Sequence, residues 1–263
     1  AAAMSYIQMN QVSFSYGEKN EYVIKDFSIQ VQKGEFLVII GPSGCGKSTL
    51  LSLLAGLRLP EKGTITIDGK PVEGPGLDKS VIFQHYSLFP WMTVEENICF
   101  GIRQAHGKLK KKDQKALAMD VLTRVGMEQD AEKYPCELSG GMQQRTAIAR
   151  TLAMDSEIFL MDEPFGAVDP RRRNQLQELL LSVWEGKRRE GAEKTVIFVT
   201  HDIDEAISLA DRILFMGKNG HKEEMQVNLK RPRMLQQLAG TDCFCSFRKK
   251  LVDLFVEAEG EEE

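Results

Sequence analysis

The chain has 263 residues, enough for one large domain or for a domain carrying a modest insertion. Hydrophobic residues at 42% and charged residues at 27% are the proportions of a chain that buries a core in water. A formal charge of −4 speaks against a general nucleic-acid binder, which would carry a basic balance or a long basic face.

Ala1-Ala2-Ala3 before Met4 reads as an appended scar and is set aside. Phe27, Ile29 and Val31 alternate with polar residues, as do Ile65 and Ile67, so two half-buried strands are expected. Phe36–Ile40 is apolar on both faces, as a central parallel strand must be. Gly41–Gly46 follows as a loop, and Leu50, Leu51, Leu53, Leu54 and Leu57 form a helix apolar on most sides, hence buried against a sheet. From about His85 to Glu137 strand patterns fade, and Lys108, Lys110, Lys111 and Lys112 mark a solvated basic turn in a mainly helical insertion. After residue 157 the alternation of strand and helix returns. Ile158–Met161, Thr195–Thr200 and Arg212–Met216 read as strands, and Leu176, Leu179, Leu180, Val183 and Trp184 sit at helical spacing as core contacts. Together these segments predict an α/β fold with a mostly parallel sheet covered by helices. Residues from about 217 onward are less periodic and read as a short extension, with Glu257, Glu259, Glu261, Glu262 and Glu263 as a solvated acidic end.

No apolar run approaches the roughly 20 residues that cross a bilayer, so a membrane role would need another chain to supply the span. Five cysteines, at 45, 99, 136, 243 and 245, give no paired disulfide spacing; a reducing cytosol is the natural reading.

Gly41-Pro42-Ser43-Gly44-Cys45-Gly46-Lys47-Ser48 fits G-x-x-x-x-G-K-S/T between a strand and a helix. Glycines let successive N–H groups turn toward phosphate oxygens, and the helix start adds its positive end. Lys47 then supplies charge to the β- and γ-phosphates, Ser48 is the expected Mg²⁺ ligand, and Thr49 supports the same region. Cys45 is expected to be a small filler within the loop; the alternative is that its alkylation or oxidation blocks nucleotide entry. Leu138-Ser139-Gly140-Gly141-Met142-Gln143-Gln144-Arg145 gives a second helix start. Ser139 can cap it, and Gly140 and Gly141 leave N–H groups exposed where glycine otherwise weakens a helix.

On these residues the chain resembles the ATP-binding subunits of ABC transporters, with Met142 where their LSGGQ signature ends in Gln. The resemblance runs from about Tyr6 to Arg233 and implies a P-loop sheet with an N-terminal antiparallel β subdomain and an inserted helical subdomain. Residues 4–84 and 157–233 would be the nucleotide-binding core, 85–156 the helical subdomain and 234–263 an extension. It further implies that Ile158-Phe159-Leu160-Met161-Asp162-Glu163 is a Walker B strand, with Asp162 holding Mg²⁺ and Glu163 activating water. Tyr16 would stack on adenine, Gln84 would lie near Mg²⁺ and the water, Gly166-Ala167-Val168-Asp169 would face the other protomer, and His201 would contact the γ-phosphate. His85, His106 and His221 have no such match.

The implied assembly is a homodimer sandwiching two ATP molecules, Lys47 of one copy opposite Ser139 of the other. It would work through transmembrane permease subunits, with an extracytoplasmic solute-binding protein as an indirect partner and no nucleic acid, at the cytoplasmic face of the inner membrane. Leu88-Phe89-Pro90-Trp91-Met92-Thr93-Val94 and Val227-Asn228-Leu229-Lys230-Arg231-Pro232-Arg233 resemble the nitrate, sulfonate and taurine importer branch. A soluble iron–sulfur assembly ATPase is the alternative. Intact Lys47, Asp162, Glu163 and His201 argue against a non-catalytic regulator, and a P-loop kinase would leave Leu138–Arg145 unexplained.

Overall fold

The computed structural model describes residues 5–17, 21–84, 87–217, 220–231, 233 and 240–260. The leading alanines, His85 and Tyr86, Pro232 and Glu261–Glu263 lie outside the described residues, as do the side chains of Glu259 and Gly260. Two compact units result. One comprises Ala1–Gly76 with Thr195–Glu263, the other Leu77–Lys194.

The first unit holds two sheets. In the antiparallel one, β1 (Ile7–Phe14) lies between β2 (Ile24–Val31) and β4 (Lys62–Ile67), with β5 (Lys70–Pro71) outside β4. The expected alternation is present: Phe27, Ile29 and Val31 are buried, and Ile65 and Ile67 also face the core. The register of β1 slips between Met9 and Val12, where Gln11 takes φ 50°. This bulge lets Val12 and Phe14 share the buried side with Ile7 and Met9 despite the odd spacing. In the other sheet β3 (Phe36–Ile40) runs parallel to both β8 (Thr195–Val199) and β9 (Arg212–Met216), and β10 (Lys222–Gln226) closes the edge antiparallel to β9. Every residue of β3, β8 and β9 is buried, which is why each reads as a continuous apolar run rather than an alternation.

Helix α1 (Lys47–Leu54) buries Leu50, Leu51, Leu53 and Leu54 as expected. Leu57 does not join them: the helix ends first, Gly56 turns the chain at φ 74°, and Leu57 is exposed. A Cβ on Gly56 would stand 2.1 Å from the Gly74 carbonyl oxygen, so the turn is closed by backbone contact.

The stretch expected to be aperiodic is more ordered than its pattern suggests. It supplies β10 and a 19-residue helix, here α7 (Asp242–Gly260), that buries Phe244, Leu251, Leu254 and Ala258. Phe255 meets Phe215 of β9 edge-on at 5.3 Å, and Arg248 pairs with Asp204 of α6 (Ile203–Leu209) at 3.0 Å. The tail motif resolves into a clamp. Arg233 is buried and donates to the carbonyls of Val227, Leu229, Ile207 and Ala210, and Arg231 bonds Leu209 O and Asp211. Burial and the neighbouring Arg231 charge lower the Arg233 guanidinium to about 10, with Asp211 acting in the opposite sense.

The second unit pairs β6 (Lys79–Ile82) in parallel with β7 (Ile158–Asp162) and adds α2 (Val94–Ala105), α3 (Lys111–Arg124), α4 (Gly140–Met154) and α5 (Pro170–Arg189). The expected helical insertion is α2 to α4, which pack on one another. Helix α2 starts with a full capping box: Thr93 Oγ1 accepts from Glu96 N–H, and the Glu96 carboxylate accepts from Thr93 N–H. Gly101 permits close approach to α4, since a Cβ there would lie 3.0 Å from both Arg150 and Met154. Lys108, Lys110, Lys111 and Lys112 are exposed, as the solvated-turn reading requires.

Candidate functional site: two anion-receptive helix starts

The phosphate loop lies in the first unit, between β3 and α1. Gly46, at φ 101°, is the N-cap of α1, and a Cβ there would meet the Ile24 side chain at 2.7 Å. Gly41 is tighter: its Cβ would fall 2.0 Å from the Met216 carbonyl oxygen at the end of β9. Two of the motif's glycines are thus fixed by neighbouring atoms. Lys47 is buried, and its ammonium donates to the carbonyls of Gly41 at 2.8 Å and Pro42 at 2.7 Å, 3.7 Å from Cys45 Sγ. The loop therefore curls around a positive charge. Ser43, Gly44 and Ser48 face solvent, Cys45 and Thr49 are buried, and no acid occupies the first turn of α1. The first turn of α1 thus sets no carboxylate of its own against an anion.

Tyr16 is 57% exposed beside this loop, and its hydroxyl and Thr49 Oγ1 share a hydrogen bond at 3.0 Å. Phe14 holds the ring edge-on at 5.1 Å, and Arg58 lies over it at 5.3 Å. Tyr16, Val23, Ser43, Gly44, Cys45 and His221 are among the residues lining a cavity of about 890 Å³. His201 follows β8 and is exposed, just before Asp202, which caps α6 by accepting from Glu205 N–H at 3.0 Å. His221 packs edge-on against Phe215 at 6.3 Å.

The second unit carries the other sequence-derived residues. Gln84 is exposed just beyond β6. Asp162 ends β7 and is buried; Glu163 follows it, half-buried, at φ 48°. A left-handed backbone costs a non-glycine residue about 1–3 kcal/mol and persists only where its surroundings impose it. One such restraint escaped the sequence reading. Gln144 is buried within the signature helix, its Nε2 donates to Glu163 O at 2.9 Å, and its Oε1 accepts from Ala167 N–H at 2.9 Å. A single amide thus ties the acid to the Gly166–Asp169 turn. The sequence displayed Gln144, but nothing in helical periodicity says where a buried amide points.

Ser139 caps α4, accepting from Met142 N–H at 3.3 Å. Gly140 is exposed and Gly141 half-buried, and the first turn again contains no acid. A Cβ on Gly141 would sit 2.8 Å from Ala167 O, so this glycine also gives room to the Gly166–Asp169 turn. The chain therefore has a second anion-receptive helix start, without a lysine.

The two aromatic rings of the Phe89-Pro90-Trp91 segment differ in their surroundings. Phe89 packs on Phe100 at 4.8 Å, with the Arg150 guanidinium at 6.0 Å, whereas Trp91 is 68% exposed. Asn97 builds this turn. Fully buried, it accepts from Phe89 N–H at 2.8 Å and donates to the carbonyls of Phe89, Met92 and Thr93. It is the second residue that periodicity left unmarked.

The ABC transporter family model matches residues 24–166. A nitrate import ATP-binding protein of Synechococcus elongatus is 41% identical, over 88% of this chain and 83% of its own length. An aliphatic sulfonates import ATP-binding protein of Bacillus cereus is 42% identical, over 95% of each chain. Among solved structures, the dimeric post-hydrolysis state of an ATP-binding cassette bound to ADP and Pi aligns with a TM-score of 0.75 at 32% identity, covering 85% of this chain and 100% of that one.

Proposed function

Since the chain belongs to the ABC transporter ATP-binding proteins and is an ATP hydrolase of that family, we propose that it works as a homodimer that energises import of a small anion through separate permease subunits. The observation that carries this reading is the pair of acid-free helix starts, one with Lys47 and one with Ser139-Gly140-Gly141. One triphosphate uses both when Lys47 of one copy faces Ser139 of another. ATP charge then holds the copies together, and hydrolysis with phosphate release weakens the contact.

Within each site the Gly41–Gly46 N–H groups and Lys47 grip the phosphates, Thr49 supports Tyr16, and Tyr16 offers a ring face to adenine. Glu163 accepts a proton from the attacking water, while Gln84 and His201 orient the water and the γ-phosphate. The residues suit Mg²⁺. A hydroxyl (Ser48), an amide oxygen (Gln84) and a carboxylate (Asp162) are hard oxygen donors of the kind taken by an ion that shares its shell with phosphates and water. Bound there, Mg²⁺ would neutralise charge developing on the phosphates.

No described helix is long and apolar enough to cross a membrane. The importer relatives favour the cytoplasmic face of the inner membrane as the site of action, against permease subunits served by an extracytoplasmic binding protein. Exposed Trp91 is the anchor proposed for the permease. The nitrate and sulfonate importer relatives favour a small anion as cargo over the iron–sulfur assembly alternative.

The test is Glu163→Gln. ATP binding should persist, turnover should fall at least about 100-fold, and an ATP-dependent dimer should accumulate in sedimentation. Near-normal turnover in that variant refutes the role of Glu163.

A further inference from the structure

Helix α7 buries one face within the chain and leaves two valines, a cysteine and a lysine exposed on the opposite one. Phe244, Leu251, Leu254 and Ala258 are buried. On the opposite side Cys245, Lys249, Val252 and Val256 stand at spacings of four, three and four, the seam of a paired helix. Val252 is 36% and Val256 63% exposed, and Cys245 and Lys249 are exposed as well. Two isolated surface valines would need no explanation. A seam on a helix already anchored by Phe255 against Phe215 and by Arg248 against Asp204 does.

We propose that α7 pairs antiparallel with α7 of a second copy of this chain through Cys245, Lys249, Val252 and Val256. Charge selects the occupant and its direction. The first half of the helix carries Arg248, Lys249 and Lys250, and the second half carries Asp253 and Glu257, with Glu259 next in sequence. Parallel pairing sets like charges side by side; antiparallel pairing lays each basic half on an acidic half. The spacing fits the same symmetry. Residues 245 and 256 are centred on the same point as 249 and 252, so a two-fold axis between residues 250 and 251 matches every seam position with another. Arg248 and Lys250 are engaged within their own chain, by Asp204 and Glu223, while among the described residues no carboxylate pairs with Lys249. Lys249 and Asp253 lie on the same flank of the seam, one helical turn apart, so the ammonium meets Asp253 of the second copy.

Four seam residues cover far less than the ~1,600 Å² of a standard stable interface, so the contact is weak alone. Its effect is that of a tether, raising the effective concentration of one copy near the other whether or not nucleotide is bound.

The experiment uses the full chain without nucleotide. Val256→Cys, mildly oxidised, should form an interchain disulfide between Cys245 and the new cysteine, identified by mass spectrometry. Glu257→Cys, on the outer side, should form none above background. Lys249→Glu, which sets a carboxylate against Asp253 of the second copy, should weaken self-association by about tenfold in sedimentation, and Val256→Glu should weaken it by a similar factor. Far-UV circular dichroism checks that these surface variants fold. Absence of the 245–256 disulfide overturns the proposal. So does a disulfide only between two copies of the new cysteine, which means parallel pairing, or loss of binding to phosphatidylglycerol vesicles in Val256→Glu with association unchanged, which makes the face a membrane contact. The ATP-dependent dimer of Glu163→Gln is a separate measurement: it should form with or without Val256→Glu, so failure of the tether and failure of the nucleotide sandwich are told apart.

Discussion

Replacing Gln144 with methionine should cripple catalysis while leaving nucleotide binding nearly intact. The exchange keeps side-chain volume and removes both polar ends, so Ala167 N–H loses its acceptor and Glu163 O one donor, keeping that from Gly166 N–H at 3.2 Å. A buried backbone group left without a partner costs about 1–3 kcal/mol. Gly166 and Ala167 are exposed, so water can partly replace the lost bonds, and the total should sit near the lower end, roughly 1–2 kcal/mol. The larger effect is local. Glu163 is held at φ 48°, and without the Gln144 donor its backbone can relax toward negative φ and swing the carboxylate away. A barrier increase of about 1.4–2.7 kcal/mol corresponds to a 10–100-fold fall in kcat, whereas the KM for ATP should move less than about twofold because no phosphate-loop residue is altered. Steady-state ATPase assays give the split, and hydrogen exchange at the Ala167 amide reports the broken bond. Gln144→Glu separates the two partners: it can still accept from Ala167 N–H but sets a carboxylate against Glu163 O, so it should be as inactive as the methionine variant. Wild-type kcat in Gln144→Met, with faster Ala167 exchange, would refute the claim that this amide positions the acid.

Asn97→Ala should lower thermal stability by about 2–3 kcal/mol, since Phe89 N–H and the Met92 carbonyl lose the side-chain partner that holds them, while the Phe89 and Thr93 carbonyls lose one donor each and keep Met92 N–H and Asn97 N–H; calorimetry measures this, and loss of permease copurification would follow if Trp91 is the anchor. Gly41→Ala should reduce affinity for a fluorescent ATP analogue at least about tenfold, because a Cβ 2.0 Å from Met216 O cannot be accommodated without moving the loop off β9. Asp155, at the left-handed end of α4, is partly buried, which favours its neutral form. The Lys194 hydrogen bond and charge, helped by Lys187, outweigh this and hold the carboxyl below its usual range. A depressed carboxylate stabilises the fold above its unfolded value of about 3.9 and loses that contribution as pH falls through the folded value. The stability gap between the wild type and Asp155→Asn should therefore be constant at neutral pH and close only below about pH 4; thermal melts across pH, with a gap that closes near neutrality instead, would count against the ion pair.

The parts of this molecule that sequence made legible are those in which a local rule and the tertiary structure agree. β3, β7, β8 and β9 are buried on both faces, so their apolar runs had one reading. The phosphate loop and the Ser139 turn were legible because glycine spacing and helix capping are local chemistry. What escaped depended on distant partners. α7 is amphipathic with charged residues between its anchors, so its burial pattern appears only once α6 and β9 stand beside it. Leu57 fitted the helical spacing, but Gly56, in contact with Gly74 across the sequence, ended the helix first.

Gln144 and Asn97 mark the deeper limit. Both are amides inside helices, where a sequence pattern expects either solvent or an apolar neighbour, and both are buried where they bond backbone groups outside their own helix, Glu163 O and Ala167 N–H for Gln144 and the Phe89 N–H and carbonyl for Asn97. Periodicity assigns a face, not a hydrogen-bond partner. Their placement has a functional logic that the motifs alone do not express. Glu163 and the Phe89–Thr93 turn both lie in irregular backbone, with positive φ at Glu163 itself and at Ser87, two residues before the turn. Regular hydrogen-bonding ladders cannot hold such segments, so a side-chain amide, which both donates and accepts, does so from the nearest helix. If that is the reason for these two residues, a substitution that preserves only one of the two capacities should fail at either position, and Asn97→Asp should then resemble Asn97→Ala as Gln144→Glu resembles Gln144→Met.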